Sequence, residues 1–491
     1  MIRNEHFLSI ARQLEPELIL TEHRPESFHP AILSEGDRLQ LDFGDHCTGH
    51  LRLKMGYTGS HPDAPLWLQI RFAEREKELT EDPQNYTGWI SKGWIQTEQL
   101  HADILPDEIT LPRRYAFRYV QIEVLAVSSK YSLVVEDAVC LAESSADENT
   151  LLPYETYDPL LKRIDKTAVR TIHECMQKVF EDGPKRDRRL WLGDLRLQAL
   201  ADYQTYQNLD LVRRCLYLFA GCTQDSGRIC AAIFTEPQVE ADDVEMFDYS
   251  LLFIPTLLDY YKASGDMDTV RELWPAAFRQ IELSQEQFDE NGLIRDCDRL
   301  GWCFLDWNLE LNKQAGAQGV YLYSLRAAEK LAYLLGDEEC LAGIQADYDR
   351  KKSAARTYLW DERSRLFVSG EKCQRSLASQ VWMLLGGVLE SEEAKMLLRR
   401  LDREELVRPV TPYMMHYYTE AAMMYGEREL ALQILRNYWG GMVRSGADTF
   451  WELYDPSDPE ASPYGGCIVN SYCHAWSCAP AYFLRKYQFG N

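Results

Sequence analysis

The 13 cysteines form no CxxC or CxxCH pair and are scattered singly along the chain. A structural zinc site or a disulfide framework needs regular spacing, so the reading is free buried thiols in a reducing compartment, the cytoplasm. No stretch approaches the ~20 uninterrupted apolar residues of a membrane span. The opening MIRNEHFLSIARQLEPE has no apolar core and carries acids early, unlike a secretion signal. Positive charge is scarce: 53 Lys and Arg stand against 77 Asp and Glu, a net charge of −24. Such an excess repels polyanions, which argues against nucleic acid and anionic membranes as partners. Also missing are a GxxxxGK[ST] phosphate loop, a GxGxxG fingerprint after a strand, an HExxH helix and a GxSxG elbow. ATP, dinucleotide, zincin and α/β-hydrolase chemistry by their usual routes is thereby disfavoured, and the expectation is no cofactor and no metal.

What is present is an ordinary globular composition, 46% hydrophobic and 26% charged, unusually rich in aromatics at 12%, including 28 Tyr and 12 Trp. A length of 491 residues suggests two to four domains at roughly 100–200 residues each. Up to about residue 145, segments 38–44, 50–57, 65–74, 118–127 and 131–141 alternate apolar and polar residues. Period-two alternation with Gly, Asp and Pro punctuation predicts half-buried strands and a β-sandwich. Segment 74–89, EREKELTEDPQNYTGW, is too polar for a core and reads as a long loop.

From about residue 155 the period becomes 3.6, with about twelve helices starting near 156, 194, 209, 247, 267, 319, 338, 376, 391, 412, 427 and 469. Three junctions, 259–273, 331–344 and 421–435, end a helix on Gly and open the next with acids. Gly suits the left-handed position after a helix, and acids suit the next N-terminus. A fourth, at 205–216, has Asn in the Gly place. Segments 249–261 and 378–389 are apolar on most faces and fit an inner ring. Six helix pairs predict an (α/α)6 toroid, so the fold class is a multidomain all-β plus all-α chain: a β-sandwich over 1–148 and the toroid over 149–491. Loops at the wide end of such a ring form a concave site.

Four loops carry candidate chemistry. In EDGPKRDRRLWLGD (181–194), Asp182, Asp187 and Asp194 interleave with Lys185, Arg186, Arg188 and Arg189 beside Trp191. A salt-bridged connector is the plainer reading of a charge run. An indole beside carboxylates, however, is how sites hold sugars. The long loop 446–466 places Glu452 after Trp451, and the following segment 470–480 carries His474, which on apolar ground is more often a core histidine. Loop 295–308 sets Asp306 between Trp302 and Trp307, and loop 236–249 ends near Asp248. Both can equally be solvated connectors. DDVE at 242–245 resembles one aspartate motif of all-α terpene synthases, but no second metal motif follows. Carboxylates and aromatics on the loops of a helical toroid suit glycoside hydrolysis, which needs no cofactor.

The stretch D-G-P-K-R-D-R-R-L-W-L-G-D (182–194) resembles the signature D-C-P-x-R-x-E-R-x-G-W-x-G-D of bacterial α-L-rhamnosidases, glycoside hydrolase family 78. D-T-F-W-E (448–452) is similar to that family's T-x-W-E, N-S-Y-C-H-A-W (470–476) to its S-x-N-H-x-A-[FW], and F-L-D-W (304–307) to its G-D-W. The portion 42–123, closing on F-R-Y-V, resembles its β-sandwich. The order agrees throughout, and the resemblance covers most of the chain. It departs in two respects. The first loop is one residue shorter, so the acid position falls on Asp187 or Arg188, and only a shifted gap gives Asp187. The chain also looks like a compact form with one N-terminal β-domain and no C-terminal one.

The resemblance implies an inverting hydrolase that removes terminal α-L-rhamnose, or a related deoxy-sugar, from small glycosides. It implies Asp187 as acid and Glu452 as base. Asp182, Arg186, Trp191, Asp194, Asp248, Trp302, Asp306, Trp307, Trp451 and His474 would contact the sugar. Lys185, Arg186 and Arg189 would oppose the raised pKa that an acid needs. Two alternatives stay open: another glycosidase or uronic-sugar lyase on the same toroid, and a carbohydrate-binding relative that has lost its acid, which Arg188 keeps in play.

Overall fold

The computed structural model describes residues 1–296 and 303–490. Strands β1 (Ile19–His23), β2 (Ala31–Leu33), β3 (Arg38–Gly59), β4 (Leu66–Ala73), β5 (Thr97–Ala102), β6 (Asp107–Thr110), β7 (Tyr115–Ala126) and β8 (Tyr131–Ser144) form one antiparallel network. The order is β1-β8-β3-β7-β4-β5, with β2 also on β8 and β6 on β3. The alternation expected from the sequence is realised: Leu41, Phe43, Leu51, Leu53 and Met55 of β3 point into one core with Leu68, Ile70, Phe117, Ile122 and Leu133. The first half of β3 pairs with β7 and the second with β8, and both ladders meet at Gly49. A Cβ at Gly49 would lie 2.1 Å from the Leu141 carbonyl oxygen, so only glycine lets the strand pass from one layer to the other.

The helical part contains α2 (Pro159–Cys175), α3 (Leu192–Asp202), α4 (Leu209–Gly221), α5 (Phe247–Ser264), α6 (Met267–Ser284), α7 (Gln314–Leu335), α8 (Glu338–Tyr358), α9 (Leu377–Leu385), α10 (Ser391–Leu398), α11 (Pro412–Met424), α12 (Arg428–Ile434), α13 (Gly440–Arg444) and α14 (Ala479–Lys486). A π turn fuses α12 to α13. Every residue of α3 and α9 is buried, as an inner ring requires. Inner helices α3, α5, α7, α9 and α11 pack in succession. The ring closes through α14, which packs on α3 and meets α11 where His416 faces Tyr482 and Phe483. The three glycine junctions hold Gly265, Gly336 and Gly426 at positive φ, as expected. At the fourth, the left-handed residue is Gln207 rather than Asn208. Asn208 instead caps α4, its side chain accepting from the Leu211 amide.

Three expectations are corrected. The last helix begins at Ala479 rather than near 469, because 3-10 turns and irregular backbone occupy 467–478. A further helix, α1 (Glu5–Gln13), precedes the strands, and its Leu8 and Ala11 join the core of the helical ring. The segment 74–89 is a loop with short 3-10 turns, as expected, but not too polar for burial: Glu74, Glu78, Leu79 and Tyr86 are buried, because the segment lies against the toroid's loops. The described cysteines are free thiols, most of them buried. No helix among the described residues is long and apolar enough to cross a membrane.

Candidate active site

The loop between α2 and α3 is closed by its own ends. Asp182 and Arg189 pair through the backbone, and the Asp182 carboxylate accepts the Arg189 amide at 3.0 Å. Between them Asp187 (φ 63°) and Arg188 (φ 54°) both sit in the left-handed region. For residues with a Cβ this costs roughly 1–2 kcal/mol each, so the turn persists only because its surroundings hold it. The basic neighbours are each committed elsewhere. The Lys185 ammonium donates to the Glu78 carboxylate and to the Asn470 carbonyl at 2.8 Å. Arg188 donates to the Arg114 carbonyl at 2.9 Å, and Arg189 to Asp242 at 3.2 Å. Burial and the nearby Arg114 push the Arg188 guanidinium down to about 10.

Arg186 is the hinge of the cluster. Its guanidinium donates to the Glu452 carboxylate, approaches Asp187 at 3.5 Å, and lies 4.1 Å from the centre of the Tyr464 ring. Because one planar fork touches both carboxylates, their nearest oxygens are no more than about 8 Å apart. The second Glu452 oxygen accepts from the Tyr464 hydroxyl. Burial raises the Glu452 carboxyl above its ordinary value against the opposing pull of Arg186.

His474 lies between two more carboxylates, 3.8 Å from Asp182 and 3.7 Å from Asp194. Burial, with Arg186 nearby, holds the imidazole well below its usual pKa, so it is neutral at pH 7. Burial also pushes Asp182 and Asp194 well above the carboxylate range; Asp187 and Asp194 add to the shift at Asp182, and Glu452 and Asp187 to that at Asp194. Asp194 Oδ1, His474 Nδ1, Trp191 Nε1 and Trp307 Nε1 are buried atoms without a hydrogen-bond partner among the described residues. Unpaired buried polar atoms are costly, and four in one aromatic-walled cluster are suited to a polyhydroxyl ligand.

The walls are aromatic. Trp191 stands edge-on to Tyr249 with centroids 6.3 Å apart, Phe304 lies 5.3 Å from Trp307 and 5.6 Å from Trp476, and Trp307 lies 6.1 Å from Tyr464. Gly193 lets Tyr249 approach, since a Cβ there would meet the ring at 2.4 Å.

Three residues expected to contact sugar are engaged within the chain itself. Both Asp248 oxygens are taken by the Phe304 and Leu305 amides, so Asp248 braces that loop. The Asp306 carboxylate accepts the Val410 and Thr411 amides, the Thr411 hydroxyl and the Asn308 amide. Trp451 is 1% exposed and packs under the Arg75 guanidinium, 4.5 Å away. Trp302 lies outside the described residues. The site also includes Tyr249, Trp476 and Tyr413, whose ring lies 5.6 Å from Phe304 and 5.8 Å from Trp476; Tyr464 comes from the long loop 446–466 and Trp476 from the 470–476 motif. Among the described residues, no group of His, Cys, Asp and Glu is arranged to hold a metal.

A helical six-hairpin ring with buried carboxylates and aromatic walls at one end defines a six-hairpin glycosidase. Residues 153–487 match the bacterial α-L-rhamnosidase six-hairpin glycosidase domain, and residues 19–142 match the N-terminal domain of glycosyl hydrolase family 78 α-rhamnosidases. The chain belongs to the bacterial α-L-rhamnosidases of glycosyl hydrolase family 78, and is an O-glycosyl hydrolase. It is 44% identical to a rhamnosidase from Klebsiella oxytoca solved with rhamnose bound, with a TM-score of 0.96 over 99% of each chain. A family 78 rhamnosidase of Bacillus sp. GL1 shares the fold at 23% identity and TM-score 0.80, over 94% of this chain and 47% of that one. An α-L-rhamnosidase of Streptomyces avermitilis does so at 17% identity and TM-score 0.71, over 96% and 44%. A comparison with curated protein sequences found no match.

Proposed function

We propose that the enzyme removes terminal α-L-rhamnose from small glycosides with inversion, Asp187 acting as the acid and Glu452 as the base. The observation that carries this reading is Arg186 touching both carboxylates. A spacing of at most about 8 Å is compatible with the ~6.5–9.5 Å that lets a water stand between base and sugar. Arg188 turns into the β-domain, which leaves Asp187 beside Arg186 and supports the shifted alignment of the loop. Each Glu452 oxygen keeps a lone pair after accepting from Arg186 and Tyr464, so the base can still take a proton from water. Asp182, Asp194 and His474 would receive the hydroxyls, with Trp191 and Trp307 as apolar walls. The Klebsiella relative with bound rhamnose supports the choice of sugar. Residues 1–148 and 149–491 are read as the β-domain and the catalytic domain. The free, mostly buried thiols support a reducing compartment such as the cytoplasm.

Hydrolysis of an aryl α-L-rhamnoside followed by proton NMR tests the reading. β-L-Rhamnose should form first; Glu452→Gln should lower kcat by ~10²–10⁴-fold on that substrate, and Asp187→Asn should do so on methyl α-L-rhamnoside, whose leaving group needs the acid. First formation of the α-anomer would overturn inversion, and full activity in either variant would overturn its assignment.

A further inference from the structure

The segment joining β4 to β5 is fixed to the catalytic loops on both sides of the site. Glu78, 2% exposed, accepts from Lys185, which is 1% exposed and two residues before Asp187. Arg188, one residue after Asp187, donates to the Arg114 carbonyl of the same β-domain. On the other side, Glu74 accepts the Tyr472 amide at 2.6 Å, and Tyr86 donates to the Tyr464 carbonyl at 2.8 Å. The Tyr464 hydroxyl in turn donates to Glu452. Sequence neighbours of one carboxylate and the hydrogen-bond partner of the other are therefore held by the β-domain, through the β4–β5 segment and Arg114.

We propose that Glu78, on the β-domain, is a positioning residue for the general acid: through Lys185 it holds the left-handed turn that presents Asp187 to the leaving oxygen. The proposal rests on the assignment of Asp187 made above. Lys185 and Arg188 flank Asp187 in sequence and bond the same domain, so Asp187 cannot shift unless one of these bonds breaks. The Lys185 ammonium is buried with Glu74 at 3.8 Å and Glu78 closer, an arrangement that anchors a backbone and leaves no face for a ligand. Glu78 touches no reacting atom; its other oxygen accepts the Glu74 and Arg75 amides at 3.0 and 2.9 Å, which fixes it on the β-domain.

Leaving-group dependence separates positioning from mere stability. An activated leaving group such as 2,4-dinitrophenolate departs with little protonation, whereas methoxide needs the acid. In Glu78→Gln, kcat on methyl α-L-rhamnoside should fall by ~10–100-fold and kcat on the dinitrophenyl rhamnoside by less than about threefold, with rhamnose binding unchanged. Equal losses on both substrates, or no loss, would overturn the proposal.

Should the single variant fail to fold, Glu78→Gln combined with Lys185→Met replaces the buried pair by neutral groups of similar volume, a change that is often tolerated. The same split between substrates is expected, and a wild-type profile in the double variant would overturn the proposal. Asp187→Asn is measured in parallel. If Asp187→Asn itself shows no leaving-group dependence, the acid assignment fails. If it does and the Glu78 variants do not, only the positioning role fails.

Discussion

At the scale of single residues, acid and aromatic types were legible in the sequence, but their partners were not. Asp306 and Asp248 stand among aromatics just as Asp194 does, and only the fold shows that backbone amides consume them while Asp194 Oδ1 stays free. Asp306→Ala should unpair the Val410 and Thr411 amides and cost about 2–4 kcal/mol in a urea titration, with rhamnose affinity of the folded fraction retained. A lost affinity at unchanged stability would restore Asp306 as a sugar ligand.

Asp202 makes a second prediction at this scale. It is fully buried at the end of α3, neither oxygen has a full hydrogen bond among the described residues, and burial lifts its carboxyl to about 7 against the pull of the Asn208 amide. Since the unfolded aspartate titrates near ~3.9, the folded state binds the extra proton between those values, and stability falls as pH rises towards 7. Asp202→Asn should therefore stabilise the protein more at pH 8 than at pH 5, by of order 2–4 kcal/mol. Equal urea midpoint shifts at the two pH values would refute the buried charge.

At the scale of elements, helix starts are readable where a capping acid follows a helix-ending glycine. Asp266 caps α6 by accepting the Thr269 amide at 3.0 Å, directly after left-handed Gly265. Asp266→Ala should cost about 1 kcal/mol in thermal unfolding and leave kcat unchanged. Two helices are less plain in the sequence, each for its own reason. α14 was placed too early because 467–478 is as apolar as a helix but is fixed by loop contacts, such as the His474 amide on the Phe450 carbonyl. α1 escaped notice because its inward face is little more than Leu8 and Ala11, too short a stripe to show a period.

At the scale of the molecule, the ring of six helix pairs followed from counting junctions, whereas the joint between ring and sandwich did not. Nothing in EREKELTEDPQNYTGW announces that Glu74 and Glu78 meet Lys185, since a buried ion pair across domains leaves no periodic trace. Tyr86, Ile95, Tyr464, Ile468 and Val469 close one apolar cluster over the same joint. Residues 149–491 expressed alone should expose that cluster, bind a hydrophobic dye and fail to turn over rhamnosides. A monodisperse, active fragment would show that the sandwich is dispensable.

The bond between Glu74 and Tyr472 spans 398 positions. A ribosome adding about 5–20 residues per second therefore delivers one partner some 20–80 s before the other. Until residues 452–470 emerge, the loop that carries Asp187 has neither Glu452 opposite it nor the Asn470 carbonyl that helps seat Lys185. Sugar cleavage by the proposed pair is thus withheld from the growing chain until residue 470 has been made.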